Sequence, residues 1–285
     1  MGNVVKERAV SVRYPKYYRQ RYIMTLLQNL ENAVTAEEFQ KVLFWSQRET
    51  EIFYYDFVCS SGGSHSFQAV DDLEMLHETG WLEIENNHIS VLRNLPREKG
   101  LKQAENLKLL LFARGKKYRQ KQLFFPDSAE QHRNVKKHFN GEPVLFTIGY
   151  EGISFECYVN RLMQQEVRLL CDVRMNPFSR KFGFSKGRLS ELLPTLGIEY
   201  LHIPELGIAS NSRKSLHTPS DYRRLFAEYR KEMPRKEKHL SRLIDLMEQY
   251  GRLALTCFEH KPLFCHRHCI SDYLEKKNNL KVVHL

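Results

Sequence analysis

Apolar side chains recur at helical spacing through Ile23, Leu26, Leu27 and Leu30, and again through Phe39, Val42, Leu43 and Trp45. Thr35 precedes the second run with Glu38 three residues on, the pattern of a capping box. Residues 54–58 (YYDFV) predict a short strand or extended turn, and residues 60–64, with Gly62 and Gly63, a loop. Ser66 then opens a third helix through Ala69, Leu73 and Leu76, ended by Gly80. Residues 81–84 and 88–92 flank Asn86 and Asn87 and predict a hairpin. Helices followed by a two-stranded wing give a winged-helix outline. Residues 99–124 predict one long basic helix, with Leu107, Leu110, Leu111 and Tyr118 among its apolar positions.

Residues 126–142 are polar, hold Pro and Gly and keep no period, so a linker is expected there between domains at 1–125 and 143–285. Beyond it, short apolar runs at 144–148, 167–173, 198–203, 253–258 and 280–284 alternate with helical patterns. The helices are expected at 155–165 (capped by Ser154), 185–196, from a cap at Ser220 or Asp221 to about Lys231, 236–250, and onward from Cys265. Strands separated by helices mean parallel strands joined by right-handed crossovers. The expected fold class is α/β: a C-terminal Rossmann-like domain with a mainly parallel sheet, plus an N-terminal α+β winged-helix-like domain.

Charge adds a partner class. The 285 residues carry a net charge of +10, with 44 Lys and Arg against 34 Asp and Glu, which suits a polyanion or an anionic substrate. Cations alternate with aromatic rings in two places: Arg13, Lys16, Arg19 and Arg21 among Tyr14, Tyr17 and Tyr18, and Lys116, Lys117 and Arg119 around Tyr118. Such segments neutralise phosphates and stack on bases, so a nucleic acid or nucleotide is the expected partner. The third helix, with Asp71, Asp72, Glu74 and Glu78, is a poor surface for a DNA groove. No apolar run approaches the roughly 20 residues that span a bilayer, and the N-terminus lacks the apolar core of a secretory signal, so no membrane partner is expected. Six cysteines without such a signal point to reduced thiols and a cytoplasmic location. Oligomeric state is not legible.

The chemistry gathers at the ends of the expected strands. Tyr150 and Glu151 follow the first, Asp172 and Arg174 the second, His202 closes the third, and Cys257 and Glu259 follow the fourth. Ligands of open parallel sheets sit outside these carboxyl ends. Cys257, Glu259, His260, Cys265, His266 and Arg267 fall within eleven positions. Arg174, Ser179 and Arg180, with Tyr150, suit a phosphate or carboxylate, and Arg267 in the first turn of a helix adds the positive dipole end; pairing of an arginine with Asp172 or Glu151 is the alternative. Glu259 is the candidate for proton transfer, with Asp172 as a carboxylate partner. Cys265 and Cys257 stand as nucleophiles assisted by His266, as metal ligands, or as core residues. Their C-x7-C-x3-C spacing with Cys269 is no zinc-ribbon pattern, so spacing assigns no metal. Dinucleotide, Walker A and G-x-S-x-G patterns are missing, which disfavours ordinary NAD enzymes, P-loop ATPases and esterases and leaves the cofactor unassigned.

Four stretches resemble the family catalogued as domain of unknown function 488 (DUF488): TIGYEG at 147–152, CDVRMNPFSRKFGFS at 171–185, GIEYLHIPELG at 197–207 and CFEHKPLFCHR at 257–267. The resemblance implies a fold and a set of motif positions, without an established reaction. It departs at Ile208, where a second glycine is expected. The run KVLFW, YYDFV, GGSHSF, LEMLHETGWL within 33–92 resembles small antitoxin domains of the Panacea type. Three functions remain open: an enzyme acting on a nucleotide, nucleic acid or other phosphorylated substrate; a nucleic-acid-binding regulator that senses a ligand; and an interaction component of a defence or toxin–antitoxin system.

Overall fold

The computed structural model describes residues 14–30, 32–60, 63–115, 142–213 and 216–285. The chain divides into two compact units, Met1–Asp127 and Ser128–Leu285.

In the N-terminal unit the order is α1 (Tyr18–Gln28), β1 (Val34–Thr35), α2 (Ala36–Thr50), β2 (Val58–Ser60), β3 (Gly63–His65), α3 (Phe67–Glu78), β4 (Leu82–Glu85), β5 (His88–Val91) and α4 (Gln103–Gly115). Thr35 accepts from the Glu38 amide at 3.1 Å and Glu38 from the Thr35 amide at 2.9 Å, the expected capping box. Asn86 and Asn87, both at positive φ, turn the expected hairpin, and β1 pairs with β5 to extend it into an antiparallel sheet of order β1-β5-β4. Two local expectations differ. Tyr54 and Tyr55 form no strand, because the Gln47 side chain takes both of their amides and donates to the Tyr55 carbonyl. The expected loop at 60–64 lies in the β2–β3 hairpin, with Ser60 opposite Gly63. Of the long basic helix, α4 covers Gln103–Gly115; residues 116–124 lie outside the described residues, as do residues 126–141 of the expected linker.

The C-terminal unit alternates as β6 (Val144–Gly149), α5 (Phe155–Gln164), β7 (Leu169–Asp172), α6 (Lys186–Leu192), β8 (Glu199–His202), α7 (Pro219–Glu232), α8 (Glu237–Tyr250), β9 (Arg252–Cys257), α9 (Arg267–Asn278) and β10 (Lys281–His284). Its five strands are all parallel, in the order β10-β6-β9-β7-β8. β6 and β9 are buried almost throughout, as strands covered on both faces must be. One face, with Leu145, Leu169, Cys171, Leu253 and Leu255, packs on α7, α8 and α9. Alternate residues point the other way, where Thr256 receives the Tyr158 hydroxyl of α5 at 2.7 Å.

Two helix starts move. Thr218, not Ser220 or Asp221, caps α7, with Asp221 as its reciprocal partner three residues on, because Pro219 takes the first helical position. α9 begins at Arg267 with His266 as N-cap; Cys265 is extended and stands before it.

Candidate functional site at the carboxyl ends of β7 and β9

Strand order sets the site. The chain leaves β7 toward β8 and leaves its neighbour β9 in the opposite direction, toward β10. With right-handed crossovers the two connections pass to opposite faces, the topological switch point at which open parallel sheets generally take their ligands.

The loops after β6 and β9 are tied together by hydrogen bonds. The Tyr150 and Glu151 amides both donate to the Phe258 carbonyl, at 3.1 and 2.9 Å, and the His260 amide donates to the Glu151 carboxylate at 3.0 Å. Gly149 permits this approach: a Cβ there would lie 1.9 Å from the Glu259 carbonyl oxygen. Gly207 does the same beside Met175, where a Cβ would stand 2.3 Å from the backbone nitrogen.

Two polar networks result, on opposite faces of the sheet edge. In the first, Asp172 is fully buried and takes a bidentate arginine: Arg174 Nε at 2.8 Å and Nη2 at 2.5 Å. The Arg174 amide and the Tyr200 hydroxyl supply two further donors, at 3.1 and 2.8 Å, so each carboxylate oxygen accepts two bonds. Arg174 Nη1 donates to the Tyr150 hydroxyl at 2.7 Å and the Phe184 carbonyl at 2.9 Å, and His202 binds the Arg174 carbonyl at 2.8 Å. Burial pushes the Tyr150 phenol up despite the guanidinium beside it. Asp172 therefore meets Arg174 and Tyr200 rather than Glu259, and Arg174 holds the loop together from inside.

The second network lies at the end of the central strand. Cys257, Cys265 and His266 are buried, and their sulfur and nitrogen atoms all lie within 4.8 Å of one another. His266 Nδ1 faces Cys257 Sγ at 3.7 Å and Cys265 Sγ at 3.8 Å, while Nε2 is 2.9 Å from the Val173 carbonyl. A carbonyl only accepts, so Nε2 is the donor there and Nδ1 is the nitrogen turned to the sulfurs. Half-buried Glu259 accepts from Cys257 Sγ at 3.4 Å. Burial raises the Cys265 thiol well above the ordinary thiol range, with Cys257 and Glu259 adding to the effect and Arg267 opposing it.

Arg267 is also buried. Its guanidinium donates to the Glu259 carbonyl and, at 2.7 Å, to the His260 carbonyl, clamping the loop that carries the acid. At the N-terminus of α9, the His268 and Cys269 amides go to the Cys265 and His266 carbonyls, at 3.2 and 3.0 Å. Cys269 stands apart from the cluster beside His268, 3.5 Å from its Nε2.

The remaining anion candidates are at the surface of the β7 loop. Ser179 is half-buried and accepts from the Lys181 amide at 3.2 Å; Arg180 is exposed, with no ion pair among the described residues. Sequence reasoning passed over Lys181, whose ammonium reaches the Tyr150 carbonyl at 3.0 Å, and Tyr200 and Gly149. It also passed over the rim itself, where Phe178 is 70% exposed and Phe258 44%, with Lys261 in the open between β9 and α9. An apolar residue beside a polar motif was the only available signal for it.

In the N-terminal unit the cations proposed for nucleic acid are engaged locally. Arg19 binds the buried Asp72 at 2.5 Å, beside Gln20 and Tyr55. Arg21 lies over the Tyr18 ring and donates to the Pro15 carbonyl at 3.2 Å, and Lys16 lies over the Tyr17 ring. Arg13, Lys116, Lys117 and Arg119 lie outside the described residues. No helix among the described residues is long and apolar enough to cross a membrane.

No curated protein and no solved structure matches the chain. The model of one family, described as Domain of unknown function DUF488, matches residues 154–274. That span runs from the cap of α5 into α9 and holds Asp172, Arg174, Cys257, Glu259, Cys265, His266 and Arg267. Residues 154–274 of the C-terminal α/β unit thus match the DUF488 family model.

Proposed function

We propose that the C-terminal unit is an enzyme acting on a nucleotide, nucleic acid or other phosphorylated substrate at the crevice between β7 and β9. The observation that carries this is Glu259: a half-buried carboxylate at the carboxyl end of the central strand, 3.4 Å from Cys257 Sγ, with its backbone clamped by Arg267. A half-buried carboxylate beside a buried polar cluster is placed for proton transfer. Substrate class follows from the surroundings. Phe178 and Phe258 offer ring surface for a base, and Arg180 and Lys261 offer charge for phosphate. Arg174, Asp172 and Arg267 serve in this scheme as positioning residues, since their polar atoms are engaged within the protein.

The test is turnover of a panel of nucleotides, single- and double-stranded nucleic acids and phosphate esters by the full chain and by Glu259→Gln. The variant keeps the shape of the side chain and removes its basicity. A loss of about 100-fold or more is expected, the usual contribution of a positioned acid–base group. Equal rates for the two proteins, or no turnover of any member of the panel, contradicts the proposal.

A further inference from the structure

We infer that Cys257, Cys265 and His266 form a binding site for a single zinc ion, with the Glu259 carboxylate as the next donor. Three features support it, and none depends on whether the rim is catalytic.

The first is spacing in three dimensions. Tetrahedral zinc, with Zn–S of about 2.3 Å and Zn–N of about 2.0–2.1 Å, holds a sulfur and a nitrogen ligand about 3.6 Å apart. His266 Nδ1 lies 3.7 Å from one sulfur and 3.8 Å from the other. Both nitrogen–sulfur edges thus match those of a zinc tetrahedron, and all three donor atoms lie within 4.8 Å of one another.

The second is orientation. A zinc-ligating imidazole almost always donates its other ring N–H to a carboxylate, carbonyl or water, which fixes the tautomer and the ring plane. Val173, directly after the strand beside β9, supplies that carbonyl to His266 Nε2 at 2.9 Å. The ring's Nδ1 faces both sulfurs.

The third is support for the ligands and balance of charge. Cys257 ends the central strand, while Cys265 and His266 directly precede α9. The loop between them is pinned by the Arg267 guanidinium on the Glu259 and His260 carbonyls, and by the Cys265 amide on the Pro262 carbonyl at 2.9 Å. Zinc with two thiolates and a neutral imidazole carries no net charge, so it can be buried without a counter-ion. Two soft sulfurs and an imidazole select zinc over magnesium or calcium, which take oxygen ligands. The sequence spacing hid this site because the ligands are paired across a strand–loop–helix junction rather than on a zinc knuckle.

The test uses the full chain, purified without chelator, desalted and assayed for metal by mass spectrometry, then exchanged with cobalt(II). About one zinc per chain is expected, together with the thiolate-to-cobalt charge-transfer absorption of the exchanged protein. Cys257→Ser and Cys265→Ser should each lower zinc retention at least tenfold and weaken that absorption. Cys59→Ser and Cys269→Ala, whose thiols lie outside the cluster, should keep both. A folded wild-type chain that retains no zinc after incubation with one equivalent overturns the assignment, as does bound cobalt without thiolate absorption. Because the cobalt spectrum is read on the wild-type chain, a variant that fails to fold does not decide the outcome. Metal content is measured without substrate, so it stands or falls separately from the turnover of Glu259→Gln.

Discussion

At the scale of single residues, the site depends on groups that do no chemistry. Gly149 leaves room for the Glu259 carbonyl, and Arg267 then grips that carbonyl together with the next one. The obstacle to a side chain at 149 is backbone, which cannot rotate away. Gly149→Ala should therefore destabilise the C-terminal unit by about 1–3 kcal/mol, the usual cost of an overpacked site. Urea unfolding measures it, and an unchanged midpoint would contradict the close approach. Arginines were the residues least legible in sequence. Arg174 and Arg267 have the right type for anion binding, but a guanidinium satisfied by an internal carboxylate or by carbonyls looks the same in one dimension as one facing solvent. Pairing of Arg174 with Asp172, two residues away, was readable as an alternative. The bonds from Arg267 to residues 259 and 260 were not, because they depend on how the loop folds back.

At the scale of elements, strands and helices were legible where apolar period and cap agreed. β6, β9 and β10 fall within a residue or two of their apolar runs, and Thr35 and Ser154 cap as their positions imply. Errors came where a side chain outbid the period. Gln47 satisfies the backbone that residues 54–55 would otherwise give to a strand, and Pro219 shifts the cap of α7 back to Thr218. The edge strand β10 has its own pH dependence. His284 pairs with the Thr147 hydroxyl at 2.7 Å, and burial, aided by Arg267, lowers its pKa against the opposing pull of Asp272 and Glu275. A histidine with a depressed folded pKa is bound to fewer protons in the native state, so its contribution is present above the unfolded value near 6.5 and is lost as pH falls through the folded value. Stability should decline from pH 7 to pH 5, and His284→Asn should flatten that slope in thermal unfolding curves. An equal slope in the variant would assign the decline to other groups.

At the scale of the whole chain, the division into an α+β unit and a parallel α/β unit follows from the change in apolar rhythm near residue 143. Strand order does not follow from it. Nothing in the spacing says that β9 returns to the middle of the sheet, yet this insertion brings His266 against Val173 and makes the switch point. It also puts Asp172 and Cys257 on opposite faces, which separates the carboxylate pair expected from sequence. The central claim is that these loops build one functional site. Crystals of the full chain soaked with nucleoside phosphates and zinc test it most directly. Ligand density is expected outside the carboxyl ends of β7 and β9, within reach of Arg180, Lys261 and Glu259, with a metal peak between Cys257, Cys265 and His266. Density confined to any other surface, with the crevice and the cysteine–histidine cluster bare, would contradict it.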